Sequence, residues 1–413
     1  MASVSIAGRA ALAVMMACRT EALGAHVLEC VAPGCGQTRI VAPNRCNART
    51  CPQCAPALAG KWSERALGRL PKGPYHHVVV TLPDEFTAQF GYRRKEITRA
   101  LMRAATRSML SVMRGKRGGL RVTPAIVAVL HTAGGKLNLH PHVHLLVSAG
   151  GLSADRSQWL DAKLDDPLIL RLLRSAVRKR FVDAMHFAMA TASRRPECAD
   201  ADAAILARLG LIRAQGRKAE VFNVWIGPRR DDPRPIVLYL AKRLYGGPIC
   251  DERIVSRDGT HVRFFYDDTR DCDAVTGMPK AKIMALPNDE FARRWTVHVP
   301  DKGVQLARNC GLMANSKKDA LSRAKELLAA VPQPVHSEEP APAPAPAPSE
   351  SVEPPKLSGP RCPACRAPLD YRELIAAPAL LPGSVKVHPK PLSLREVLGG
   401  IGFGIGPPMR NAA

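Results

Sequence analysis

The stretch AIVAVLHTAGGKLNLHPHVHLLVS, residues 125–148, constrains the fold more than any other part of the chain. Two runs rich in Val, Ile and Leu flank AGGKLN, whose paired glycines are a hairpin signal. The two runs are therefore expected to be antiparallel neighbours. In the second run, alternate side chains face the same way. Leu139, Val143, Leu145 and Val147, with Pro141 among them, form an apolar face, and Asn138, His140, His142 and His144 form the other. A strand with such an apolar face must pack on helices, which commits the chain to a layered domain.

Of 12 histidines in the chain, three fall at alternate positions here. Imidazoles two residues apart project side by side, about 6–7 Å along a strand, and can reach one cation. Pro141 cannot donate to a ladder, so regular pairing is expected after it. His142 and His144 are thus the leading metal ligands, with His140 a possible third. His131, His76, His77 and a side chain on the helix around Tyr239 are the other candidates for that place. A solvated polar strand face would look the same, so a metal centre needs a second element. IVLYLAKRLYGG (236–247) offers a nucleophile, Tyr239, with Lys242 and Arg243 one turn beyond it on its face. Cations beside a tyrosine favour its phenolate and hold phosphates.

Cysteines point to a second metal. Five of the 12 lie between Cys30 and Cys54. Cys51-Pro-Gln-Cys54 is a CxxC knuckle, and Cys30 and Cys35 form a looser pair upstream. Two such pairs suit a tetrahedral structural Zn²⁺ held by four thiolates, with Cys46 as an alternative ligand. This clustering reads as a metal site in a reducing cytoplasm rather than a disulfide scaffold. Cys362-Pro-Ala-Cys365 near the C-terminus is half a site, with no second pair near it in the sequence.

The sequence divides into an N-terminal helix (1–24), a zinc-binding Cys-rich module (25–62) and a domain of alternating strands and helices (74–300). A basic helical extension (301–331), a disordered Pro/Ala-rich linker (332–358) and a tail with CPAC (359–413) follow. The expected fold class is α+β, a small, mostly antiparallel sheet with helices on one face, preceded by the Cys-rich module. RDGT (257–260) should turn a second hairpin, and Gly246-Gly247 should stop the Tyr239 helix. Lys+Arg number 60 against Asp+Glu 36, a net charge of +24, which favours a polyanionic partner, DNA before a membrane surface. No apolar stretch reaches the length of a membrane span, and AALAVMMAC (10–18) lacks the flanks of a signal peptide.

Taken in order, the Cys-rich block, PYHHVVVTLPDEF, AVLHTAGGKLNLHPHVHLLVSAGGLS, VLYLAKRLYGGPI and KAKIMALPNDEFARRWTVHVPDKG resemble the IS91-type transposases. These are rolling-circle enzymes of the HUH endonuclease superfamily, and the likeness runs from about residue 17 to 318. The resemblance implies that His142 and His144 hold Mg²⁺ or Mn²⁺ at a scissile phosphate. It implies that Tyr239 attacks that phosphorus, leaving a 5′-phosphotyrosine and a free 3′-OH, with no ATP. The implied substrate is single-stranded DNA at transposon ends, in the bacterial cytoplasm and nucleoid. Two positions depart from the family pattern: Arg243 stands where many relatives have a second tyrosine, and Thr50 where they have His before the knuckle. Tyr245 is about 240° round the helix from Tyr239 and cannot serve on the same face. Two alternatives stay open: a replication-initiator or relaxase-type nickase, and a non-catalytic zinc-dependent DNA-binding protein.

Overall fold

The computed structural model describes residues 6–37, 40–115, 120–193, 195–216, 222–274, 276–301, 303–330 and 362–375. The expected linker, 332–358, and most of the tail lie outside them. The described residues form two compact units, one within 1–16 and 47–329, the other within 17–46 and 330–389.

The elements in chain order begin with α1 (Ile6–Met16), β1 (Ala25–Cys30), β2 (Ile40–Pro43) and α2 (Ala55–Arg69). Then come β3 (Tyr75–Thr81), α3 (Arg94–Arg114), β4 (Ala125–Ala133) and β5 (Leu139–Ser148). A short pair, β6 (Gly150–Leu152) and β7 (Trp159–Asp161), leads to α4 (Pro167–Thr191) and α5 (Ala199–Gln215). β8 (Val224–Ile226) and α6 (Arg234–Leu244) precede a meander of β9 (Ile254–Arg257), β10 (His261–Cys272) and β11 (Pro279–Pro287). The last are α7 (Asn288–Val297), β12 (Ala307–Gly311), α8 (Lys318–Ala330) and β13 (Leu369–Ile375).

The larger unit is built on a five-stranded sheet, order β12-β4-β5-β3-β8, in which every neighbouring pair is antiparallel. The β4–β5 hairpin closes where Gly134 donates to the carbonyl of Asn138, at 2.9 Å. Its left-handed residue is Leu137 (φ 57°) rather than either glycine. β5 is the middle strand. One sheet face carries Val78, Val80, Ile126, Ala128, Leu130, Val143, Leu145 and Val147 into the main core. α3 meets that core with Ile97, Leu101, Ala104 and Ala105, while α4 does so with Ile169, Leu173, Val177 and Phe181, four residues apart. The opposite face carries Tyr75, Val127, Val129 and Leu146, which Ile236, Val237, Leu240 and Leu244 of α6 cover with residues of α8. The fold is α+β, but helices cover both sheet faces rather than one. The physical reason is that the face bearing His142 and His144 turns apolar at Leu146, and that apolar part needs its own cover.

Two helices were not apparent from sequence periodicity, α2 and α5. α2 starts inside the Cys-rich segment and runs past its expected end at 62; Pro56 sits in the first turn, where a missing N–H costs nothing. Arg93, 1% exposed just before α3, is held by Asp202 of α5 through Nε to Oδ1 at 2.6 Å. The RDGT turn joins β9 to β10, with Asp258 Oδ1 accepting from the backbone N–H groups of Thr260 and His261. Gly246 (φ 123°) and Gly247 (φ 72°) end α6 in conformations that favour glycine.

In the smaller unit three strands pair in the order β13-β1-β2, both pairs antiparallel. The third strand comes from the C-terminal tail. Among the described residues no helix is long and apolar enough to cross a membrane.

Candidate metal and nucleophile site

Strand register assembles the site. His131 on β4 lies directly opposite His142 on β5, and Val79 on β3 lies opposite His144. Alternation then puts His131, His142, His144 and His77 on the face covered by α6. His131, His142 and His144 each offer a ligand atom, all within 4.8 Å of one another. The third imidazole in the group is His131 rather than His140. The reason is a bulge: Ala133 faces Leu139 while His131 faces His142, so β5 carries one extra residue around His140 and Pro141. That extra residue breaks the alternation on which His140 depended. His76 points to the opposite side of β3, where its Nδ1 lies 2.9 Å from the carbonyl of Gly227.

The carbonyl of His140 accepts from His142 Nδ1 at 2.6 Å, which leaves Nε2 of His142 as a free lone pair. His144 Nδ1 lies 3.0 Å from His77 Nε2. His144 Nε2 and His131 Nδ1 are buried without any partner. Burial lowers all four histidines: His142 and His77 to about 4, and His131 and His144 further, with neighbouring imidazoles adding to the effect. These are neutral imidazoles near pH 7, so the three that converge, His131, His142 and His144, can each offer a ring nitrogen to a cation. Two orphaned buried nitrogens in such a group are what a divalent cation would satisfy.

α6 brings Tyr239 to the same place. Ile236, Val237, Leu240 and Leu244 anchor the helix, and Tyr239 stays 36% exposed on its flank. Its ring centroid is 5.2 Å from that of His144 and 5.4 Å from that of His77. Lys242 and Arg243 are both exposed, and Arg243 stacks its guanidinium over the tyrosine ring at 4.6 Å. Tyr245 caps the C-terminal end of the helix and packs against its core.

Sequence reasoning missed two neighbours. Trp225 on β8, 50% exposed, stands edge-on to His77 at 5.7 Å between centroids. A cleft beside His131 is lined by Arg49, Arg94, Arg243, Thr132 and His298 among others, with no carboxylate in its walls among the described residues. Arg94 donates to the carbonyl of Val299 at 2.6 Å.

Of the cysteines expected to share one zinc, the structure brings Cys30 and Cys35 together with Cys362 and Cys365. Cys51 and Cys54 belong to a separate thiol group. Both are buried, at the turn into α2, where the N–H of Cys54 donates to the carbonyl of Cys51. Cys46, the alternative, is half-buried five residues before Cys51.

Residues 125–320 match a family of transposases described as "Putative transposase", and residues 2–82 match a "Transposase zinc-binding domain". The chain is a transposase, a DNA-processing and DNA-binding enzyme that carries a zinc-binding domain. It is 32% identical over 367 residues to "Putative transposase y4qJ" of Sinorhizobium fredii (strain NBRC 101917 / NGR234), covering 88% of each chain. It is 29% identical over 302 residues to the "Transposase for insertion sequence element IS801" of Pseudomonas savastanoi pv. phaseolicola, covering 73% of this chain and 69% of that one. No solved structure matches. The chain belongs to the IS91-type transposases.

Proposed function

We propose that this transposase cuts and rejoins single-stranded DNA at element ends through Tyr239, in rolling-circle fashion. The observation that carries the reading is the placement of a partly exposed tyrosine with its ring 5.2 Å from the ring of His144, itself one of three converging imidazoles. His131, His142 and His144 would hold a divalent cation, whose chemistry is to polarise the scissile phosphate as a Lewis acid. Of the two ions expected, Mn²⁺ suits an all-imidazole set better than Mg²⁺, which keeps to oxygen ligands.

The protein's own residues then do the following. Tyr239 Oη forms a bond to phosphorus as the bond to the 3′ oxygen breaks; the phenol loses a proton and the 3′ oxygen gains one. The phosphotyrosine ester keeps the energy of the broken bond, so the reverse attack by a 3′-OH rejoins strands without ATP. Arg243, over the Tyr239 ring, neutralises phosphate charge as the oxygens crowd the nucleophile. The arginine-lined cleft beside His131 offers positive charge to flanking phosphates, and exposed Trp225 offers a face on which an unpaired base can stack. That stacking surface favours a single strand as substrate.

The test uses full-length protein, single-stranded end oligonucleotides and Mn²⁺, read on denaturing gels. Wild type should form a covalent protein–DNA adduct, and Tyr239→Phe should form none while binding the DNA as before. Absence of the wild-type adduct would refute the enzymatic reading, and an adduct that survives Tyr239→Phe would refute the nucleophile.

A further inference from the structure

We infer that Cys30, Cys35, Cys362 and Cys365 form one four-thiolate zinc site, so that the C-terminal CPAC closes the zinc-binding module that the N-terminal segment begins. The matched zinc-binding domain ends at residue 82, and the transposase match ends at 320. Cys362 and Cys365 lie beyond both.

Geometry is the first support. The four sulfurs lie within 4.8 Å of one another, with Cys30 and Cys365 at 3.4 Å and Cys35 and Cys362 at 3.7 Å. A tetrahedron with Zn–S bonds of about 2.3 Å has sulfur–sulfur edges of about 3.8 Å. No disulfide joins any of the four. Two bridges would need sulfurs gathered in pairs, whereas these are gathered around one point.

Local backbone is the second. On the first side, Cys35 donates to the carbonyl of Ala32 at 3.3 Å and Cys30 to that of Gln37 at 3.0 Å. Gly34 (φ 78°) and Gly36 (φ 70°) take the left-handed conformations that fold this loop back on itself. On the other side, Cys362 donates to the carbonyl of Ala367 at 2.9 Å, and Arg366 donates back to Cys362 at 3.0 Å. Each pair thus sits on a tight turn that points both thiols the same way. β13 continues from the second turn and pairs with β1 from Leu369 opposite Cys30 to Leu374 opposite His26. Val31 donates to the carbonyl of Pro368, so the ladder runs up to the cysteines themselves.

Energetics is the third. β13 does not bury enough to hold itself in place. Tyr371 and Leu374 are each 58% exposed, and the Glu29–Arg372 ion pair lies at the surface. β1 buries Ala25, Val27 and Leu28, but β13 adds no buried side chain among its described residues, and small three-stranded units of this kind depend on a metal or a cross-link. A zinc ion shared by the two turns supplies the missing stabilisation, because binding free energy for a structural thiolate site is folding free energy.

The experiment measures bound zinc per chain in full-length protein and in three variants: Cys30→Ser/Cys35→Ser, Cys362→Ser/Cys365→Ser, and all four together. Each pair should lose one equivalent, and the quadruple variant should lose that same single equivalent and no more. Losses that add up to two, or full zinc in the Cys362→Ser/Cys365→Ser variant, would overturn the proposal. Because serine variants can unfold a small unit, wild-type protein is also alkylated with N-ethylmaleimide and mapped by mass spectrometry. All four thiols should be protected with zinc bound and become reactive together on chelation. Rapid alkylation of Cys362 and Cys365 while Cys30 and Cys35 stay protected would refute the shared site.

Discussion

Replacing His77 by Phe separates a positioning role from a ligand role. His77 Nε2 lies 3.0 Å from His144 Nδ1, while His144 Nε2 faces the candidate metal position without a partner. For Nε2 to present a lone pair, the proton of neutral His144 must sit on Nδ1 and be accepted by His77. The corresponding bond of His142 runs to a backbone carbonyl and cannot be removed by mutation. Phe retains a ring against Tyr239 and Trp225, whose centroids are 5.4 and 5.7 Å from that of His77, but it removes the acceptor. Losing such a supporting partner weakens metal affinity about 10–100-fold, or about 1.4–2.8 kcal/mol at 1.4 kcal/mol per decade. Mn²⁺ titration followed by the electron paramagnetic resonance of the free ion measures this directly. His77→Phe should bind Mn²⁺ at least about tenfold more weakly, and adduct formation should recover when Mn²⁺ is raised. His77→Gln, which can accept through Oε1, should lie between the two. A His77→Phe protein with wild-type Mn²⁺ affinity would refute the argument.

Asp202→Ala leaves the buried guanidinium of Arg93 with only the Ser193 carbonyl and Glu96, 3.9 Å away, and removing one partner of such a hydrogen-bonded pair costs about 1–3 kcal/mol. Urea unfolding should show that loss, and a change under about 1 kcal/mol would mean the pair is not a structural anchor. Acid should destabilise the metal-free protein for a related reason. Burial holds His77, His142 and His298 at about 4, against an ordinary value of 6.5. The unfolded chain therefore binds protons between those values when the folded chain does not, so stability is full above 6.5 and falls as pH drops toward 4. The urea midpoint, taken in chelator from pH 7 to 4.5, should decline through that window. A flat profile would show that these imidazoles are not held neutral by the fold.

Some of this architecture could be read directly from the residues. The AIVAVLHT and HVHLLVS runs with glycines between them defined an antiparallel pair, and the pair sits at the middle of the sheet. The helix around Tyr239 and its Gly-Gly end were equally legible, because capping and periodicity act within a few residues. α2 was obscured by the cysteines before it. α5 was obscured because its apolar residues are spread around the helix, with Leu206 and Leu211 exposed while Ile205, Leu209 and Ile212 are buried.

Alternation is a property of one strand, and it sufficed to place His142 and His144 on a common face. Which third imidazole joins them depends on the register between β4 and β5, and a one-residue bulge at Pro141 exchanges His140 for His131. The cysteines divide in the same way. Their number and turn-forming neighbours pointed to zinc from the sequence alone, since paired thiolates on tight turns suit a tetrahedral ion. Which thiols meet was decided by β13 pairing with β1, a contact between segments more than 300 residues apart that no local pattern encodes.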